Sequence, residues 1–397
     1  MMKKTAILLF YCLSVLFAFA NDGVFYAAGN QLIPITETDI SVKKEVLTIN
    51  RVGDHLEVTV YYEFFNPVGE KELLVGFEAE SPYNSDLDPI ELFPDHPHMR
   101  NFKVVVNGEP LKYEIAHVKR GRYDENDRYT LPPYYINGQF KDWSKKQCED
   151  SLKAWNYNAI PFDYVYHFKT KFHPGLNIVQ HTYEYDLSFS IGEEFYFPYV
   201  LTAANRWANK QIDDFTLNIN MGDRESFRIK ETFFEKPTEW TINGLGMAMD
   251  CDWPSWDTVK SGVIFHIQKG GISFQKQNFH PNGELFIVKD DLISCIWNDW
   301  DGKQNSTSEE NLIAGLKSQY YTLDTAFIAV LEETPQFTPI QRRILRNMPF
   351  AYRGYKFKDK KLQKYFESTK WYIRNPKYKS EMEGFSENEK KWVEFWK

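Results

Sequence analysis

From Leu56 to Phe65 the chain alternates: Leu56, Val58, Val60, Tyr62 and Phe64 fall on one side, Glu57, Thr59, Tyr61, Glu63 and Phe65 on the other. That two-residue period predicts a half-buried strand, ended by Asn66-Pro67. Ile40 to Ile49 predicts its partner across a turn at Val52-Gly53-Asp54. Further alternating runs at 177–191, 215–221, 262–268 and 285–288 extend the pattern, and Ala326 to Leu331 predicts one more strand. Asn-Gly pairs begin at Asn107, Asn137, Asn243 and Asn282. Asn-Gly tolerates the two positive φ values of a type I′ turn, so each pair predicts a hairpin turn. Phe102–Val106 and Leu111–Ile115 flank the first of them. Asp142 to Trp155 and Glu309 to Tyr320 read as inserted helices, the second opened by a Thr307/Glu310 capping box.

These elements predict a mainly β body, antiparallel and sandwich-like, spanning residues 21–335 in two halves of about 21–170 and 171–335 with helical insertions. After Glu332-Glu333-Thr334-Pro335 the period becomes helical. Thr338 is an N-cap with Pro339 in the first turn, Ile340, Ile344 and Leu345 share a face, and Pro349 is expected to stop the helix. Asp359 caps a second helix carrying Leu362, Tyr365 and Phe366. Ser386 and Glu389 box the start of a third that presents Trp392, Val393 and Trp396. A small α-helical domain over 336–397 is therefore expected, and an aromatic content of 17% supplies its core and that of the body.

Charge separates the same two regions. The chain has 47 Lys plus Arg and 55 Asp plus Glu, yet residues 336–397 alone hold 16 basic and 7 acidic side chains. A basic tail on an acidic body predicts either an anionic partner or docking of the tail on the body itself. At the other end, Lys3 and Lys4, an apolar run from Thr5 to Phe17 and Ala18-Phe19-Ala20 predict a signal peptide over 1–20, cleaved to leave Asn21. The product is then exported, periplasmic or extracellular, and nucleic acid drops out as a partner. No later segment approaches the roughly 20 apolar residues of a membrane span. Cys12 sits inside the apolar run without the small neighbours of a lipid-attachment signal. Cys148, Cys251 and Cys295 are odd in number and lack CxxC spacing, which argues against a disulfide framework; if two pair, Cys251 with Cys295 is the expected pair.

Two family resemblances follow. "NDGVFYAAGNQLIPITETDISVKKEVLTI", "YYEFFNPVGEKELLVGFE" and "FPYVLTAANRWANKQIDDFTLNINMGD" resemble the DUF4424-type exported bacterial proteins over roughly 21–331. The resemblance implies a β-rich secreted architecture and no activity. "LRNMPFAYRGYKFKDKKLQKYFESTKWYIRNPKY" resembles the YARHG domain of exported bacterial proteins. Tyr355, Phe357, Leu362, Gln363, Tyr365, Phe366, Trp371 and Tyr372 follow its pattern. Phe350 stands in place of tyrosine, Tyr352 in place of arginine and Arg353 in place of histidine, so imidazole proton transfer at that position has no carrier here.

The candidate binding residues are Tyr352, Arg353, Tyr355, Trp371 and Tyr372: a guanidinium among aromatic faces suits carboxylates, phosphates or sugar rings. The same cluster also reads as packing, with Gly354 supplying a turn that a β-carbon would obstruct. Elsewhere "DHPH" at 95–98 lacks a third metal ligand by spacing. "NDWDGKQN" from Asn298 fails as a calcium loop because Trp297 and Ser308 occupy ligand places. His167, His173 and His181 are expected to be hydrogen-bonded core members. No GxSxG, HExxH or phosphate-binding glycine loop occurs, so no catalytic residue, metal or cofactor is assigned. The reading is a non-catalytic cell-envelope protein whose basic module binds an envelope polymer (peptidoglycan or surface glycan) or an envelope protein. Its alternative is an envelope hydrolase with a carboxylate- or histidine-based site, for which paired carboxylates such as Asp86 with Asp88 or Glu193 with Glu194 are candidates.

Overall fold

The computed structural model describes residues 31–35, 39–81, 92–125, 127–132, 135–136, 139–154, 160–190, 192–253, 257–292, 308–325 and 336–397. The leader with Cys12, the Asp86/Asp88 pair, Cys295, the 298–305 loop, Thr307, the 326–331 strand and the 332–335 boundary lie outside these residues.

The body is built of strands in chain order β1 (Gln31–Pro34), β2 (Ser41–Val52), β3 (His55–Asn66), β4 (Lys71–Ala79), β5 (Met99–Val106), β6 (Glu109–Leu111) and β7 (Glu114–Lys119). Two short pairs follow, β8 (Arg122–Tyr123) with β9 (Tyr129–Thr130) and β10 (Tyr135–Ile136) with β11 (Gln139–Phe140), then helix α1 (Lys145–Ala154). The remaining strands are β12 (Phe162–Phe172), β13 (Gly175–Asp186), β14 (Ser188–Ser190), β15 (Glu193–Tyr199), β16 (Ile212–Asn220), β17 (Glu225–Lys230), β18 (Trp240–Asp252), β19 (Ser261–Phe279) and β20 (Leu285–Asp290). Among the described residues four more helices follow: α2 (Ser308–Gly315), α3 (Pro339–Tyr352), α4 (Lys360–Glu367) and α5 (Glu387–Phe395).

A sheet ordered β1-β4-β12-β7 packs over part of a long sheet ordered β14-β15-β20-β17-β19-β16-β2-β3-β13-β5-β6. The alternation in β3 buries Leu56, Val58, Val60, Tyr62 and Phe64, as its period demands. Aromatic contacts bridge the layers: Phe64 meets Phe172 edge-on at 5.7 Å and Phe77 lies 5.3 Å from Tyr183. The 19-residue β19 joins the rest. Along one edge it pairs first β17 and then β16; along the other it pairs β18 from Ser261 to Phe274. The position 170/171 falls within β12 of the smaller sheet, and strands from either side of it pair in the long sheet, β13 with β3 and β5 and β16 with β2.

Several local expectations are corrected. Asn107 and Gly108 both take positive φ (51° and 88°) and turn the β5–β6 hairpin, but Leu111–Ile115 divides between β6 and β7, which belong to different sheets. Asn243-Gly244 lies within β18, opposite Gly270. Asn282-Gly283 leads into β20, which is separated from β19 by β17, so it closes no hairpin. The β2–β16 pairing is parallel within an otherwise antiparallel sheet. The helix expected to reach Tyr320 ends at Gly315.

A second core gathers Leu292, Leu312, Leu316, Tyr320 and Leu323 with Leu345, Met348, Phe366, Trp371 and Trp392 of the C-terminal helices. The segment 316–323 thus lies between tail and sheet. The Tyr320 hydroxyl donates to the Trp371 carbonyl and its N–H to Ser226 Oγ, both at 2.8 Å. Gln268 Nε2 donates to the Ile373 carbonyl at 2.8 Å, fastening the tail to β19 directly. Of the two explanations for the basic tail, docking on the body is realised, and it leaves the lysines outward.

Candidate functional site

The capping box at Thr338 starts α3: the Gln341 side chain accepts from the Thr338 N–H at 2.8 Å. The apolar face of α3 buries Ile344, Leu345, Met348, Ala351 and Tyr352. The helix does not stop at Pro349 but runs through it to Tyr352. Proline has no N–H to offer the Leu345 carbonyl one turn back. The indole Nε1–H of Trp392 donates to that carbonyl at 2.6 Å instead, so the proline is tolerated because α5 supplies the missing donor.

The chain then turns at Gly354, whose φ of 74° and surroundings both require glycine. A β-carbon there would stand 2.3 Å from the Ile373 oxygen and 2.4 Å from the Asn375 nitrogen. This tight turn sets the five candidate binding residues. Tyr352 is buried; its hydroxyl accepts from the Tyr321 N–H at 3.0 Å and donates to the Tyr321 carbonyl at 3.2 Å. Trp371 is buried with its indole N–H donated to the Leu316 carbonyl at 2.8 Å. Arg353, 8% exposed, forms a two-pronged pair with Glu389 at 2.7 and 2.8 Å. It also donates to the Pro349 and Gly384 carbonyls, and its guanidinium lies 4.2 Å from the Phe385 ring centre. Tyr355 and Tyr372 are half-buried, the Tyr372 hydroxyl donating to the Tyr355 carbonyl at 2.7 Å. The fold therefore brings all five into one cluster, with three of them facing its interior.

Sequence reasoning missed Glu389 as the partner of Arg353. Its carboxylate closes the α5 capping box, accepting from the Ser386 N–H at 2.8 Å, and grips the guanidinium as well. The box was visible in the sequence; the second role depends on a contact 36 residues away. A further feature is a hollow of about 680 Å³ lined by Lys356, Phe357, Lys358, Lys360, Gln363 and Lys364 with Glu367. Lys356, Lys358, Lys360, Lys361 and Lys364 are all exposed. Among the described residues none of them joins an ion pair. Gln363 links this hollow to the cluster behind it, holding the Phe357 N–H at 2.7 Å with the Tyr372 hydroxyl 3.4 Å away.

Of the carboxylates considered for hydrolysis, Asp86 and Asp88 lie outside the described residues and Glu194 is held in ion pairs. Burial tends to raise the Glu194 carboxyl, but Lys289 and Arg51 outweigh it and hold the group below its ordinary range. Its oxygens meet Lys289 at 2.9 Å and Arg51 at 3.3 Å, and it accepts from Thr322 at 2.7 Å. Ser226 Oγ and His266 Nδ1 stand 2.8 Å apart, yet both residues are fully buried and burial pushes the imidazole down to about 3, which leaves it neutral and only weakly basic at neutral pH. His96 donates from Nε2 to the Glu80 carbonyl at 2.9 Å and accepts at Nδ1 from the His98 N–H at 3.1 Å, which uses both ring nitrogens. His181 corrects an expectation: it is buried among Phe77, Tyr62 and Tyr183 with no hydrogen-bond partner among the described residues. Its ring stays neutral, burial lowering it to about 3.

Residues 333–397 match the YARHG domain family. No curated protein matches the chain. Among solved structures the chain is similar to a candidate nutrient-binding protein from Legionella pneumophila at 14% identity, covering 95% of this chain and 100% of that one with a TM-score of 0.47. Among the described residues no helix is long and apolar enough to cross a membrane.

Proposed function

We propose that the chain is an exported cell-envelope protein that binds and does not catalyse: residues 21–335 form a β scaffold, and the module 336–397, seated on residues 316–323, holds an anionic envelope polymer. The observation that carries this reading is the lysine hollow. Its four lysines, Lys356, Lys358, Lys360 and Lys364, and the neighbouring Lys361 are all exposed within nine residues and repel one another, and among the described residues none joins an ion pair. Such a surface becomes favourable when an anion fills it, and spaced lysines track a repeating phosphate or carboxylate better than a single small ion. Tyr355 and Tyr372 keep part of their rings accessible behind the hollow, while Tyr352, Arg353 and Trp371 position the turn that carries it. The predicted leader and the resemblance of residues 21–331 to DUF4424-type proteins support an envelope location.

Sedimentation of the full-length protein with cell-wall sacculi, before and after their anionic polymers are stripped, tests the proposal. Retention by intact sacculi should fall after stripping, and should weaken as salt rises from about 50 mM to about 300 mM because exposed charges are screened beyond a Debye length of about 10 Å or less. The triple change Lys358→Glu, Lys360→Glu, Lys364→Glu should lower retention by about tenfold or more at low salt. Retention indifferent to these charge reversals would overturn the reading.

A further inference from the structure

A second hollow, of about 740 Å³, opens where the tail meets the sheet, a size typical of small-molecule sites. Three cations reach it from three separate stretches: Arg224 from the turn between β16 and β17, Lys269 from β19, and Arg374 from the segment after Trp371. None of the three joins an ion pair among the described residues. Arg353 also borders the hollow, but its charge is spent on Glu389.

The backbone is shaped to present these groups. Arg224 adopts a left-handed φ of 58°, uncommon for a residue with a side chain. Its N–H, donated to the Gln268 carbonyl at 3.2 Å, pins it there, and its charge is felt by the Tyr320 and Tyr378 phenols. Across the β18–β19 ladder Gly244 and Gly270 face each other with φ of 147° and 97°. A β-carbon on either would lie 2.1 Å from the opposing strand's carbonyl oxygen. The wall there is bare backbone, open to close approach. Tyr378 and the exposed Leu245 add apolar surface. Two acids also line the hollow, Asp223, which accepts from the Gly270 N–H at 3.0 Å, and Glu383. Three unpaired cations against these two leave a positive surplus.

The geometry points to a binding site in this hollow for a small ligand that carries two or more anionic groups, carboxylate or phosphate, on a body with an apolar face for Tyr378 and Leu245. Such a ligand would touch sheet and tail at once, and so would favour the docked arrangement. The site is separate from the lysine hollow and does not rest on it.

Titration calorimetry on the full-length protein decides the matter, with pyrophosphate and citrate as probes and glucose as the uncharged control. Saturable one-to-one binding of pyrophosphate or citrate, and none of glucose, is expected. Pyrophosphate alone would assign the site to phosphates, citrate alone to carboxylates. Lys269→Ala with Arg374→Ala, both exposed positions, should weaken binding by about tenfold or more, with Arg224→Ala as a second variant and an unchanged far-UV spectrum as the folding check. The lysine-hollow variant Lys358→Glu, Lys360→Glu, Lys364→Glu should bind the probes as the parent does. Absence of saturable binding to either probe, or its loss in the lysine variant and not in the groove variants, would overturn the inference. Sacculus retention reads the other hollow, so the two proposals fail separately.

Discussion

The guanidinium of Arg353 makes four charge-assisted hydrogen bonds, two to Glu389 and one each to the Pro349 and Gly384 carbonyls. Replacing it with alanine strands a carboxylate whose side chain is only 15% exposed, along with one carbonyl near the end of α3 and one just before α5. Breaking one side of such a buried pair costs about 3–5 kcal/mol. Arg353→Ala should therefore lower the urea midpoint of the C-terminal transition followed by tryptophan fluorescence. Arg353→Lys, which keeps the charge but loses the planar fork, should lose a substantial part of the same stability. An arginine whose role was confined to an outside ligand would leave the midpoint in place. The residue itself was legible in the sequence, because an arginine stands where the family has histidine. Its partner was not, because a pair 36 residues apart exists only after α3 and α5 pack.

Helix α3 continues past Pro349 because α5 repairs the backbone, and this makes the two helices one cooperative unit. Trp392→Phe keeps most of the ring but deletes the donor to the Leu345 carbonyl, and leaving a buried acceptor unmet costs about 1–3 kcal/mol. Pro349→Ala returns an intrahelical N–H to that carbonyl. In a double-mutant cycle Trp392→Phe should thus cost measurably less in the Pro349→Ala background, a coupling of about 0.5 kcal/mol or more; strictly additive effects would mean the indole bond is incidental. The proline rule failed here for a physical reason: it describes an isolated helix, and a tertiary donor overrides it. The same logic sorts the strand predictions. Alternation found β3, β13 and β16 because burial on one face imposes the period, whereas β20 and residues 262–268 of β19 are buried on both faces. Asn-Gly succeeded at Asn107, where the turn is local, and failed at Asn243, where Gly244 is needed for close approach to β19. The lysine hollow was legible only as an excess of charge; which lysines share one surface depends on the Gly354 turn.

Across the molecule, the sequence yielded the acidic strand-built body and the basic helical tail, but not the acids buried between the layers, since a glutamate in a strand reads as outward-facing. Glu45 is 5% exposed beside Tyr62, and burial raises its carboxyl to about 8. Burial likewise raises Glu80 and Glu284 to about 7 each. The rings of His96, His181 and His266 are lowered to about 3. Above an ordinary glutamate value of 4.5 the unfolded chain loses protons that these folded carboxyls retain, so their contribution to stability declines from about pH 4.5 until it is gone near pH 7 to 8. Below 6.5 the unfolded histidines gain protons that the folded ones refuse, so stability also declines as pH falls toward 3. The opposing slopes place the maximum between about pH 5 and 6.5. Glu45→Gln tests one of these carboxyls by itself. A glutamine resembles the protonated glutamate in shape and hydrogen bonding but cannot ionise in the unfolded chain. Its stability relative to the parent, read from urea unfolding at successive pH values, should rise steadily from about pH 5 to about pH 8 and then level off. A difference that stayed constant over that interval would mean that Glu45 is ionised in the folded protein, and that the buried acids do not set its pH optimum.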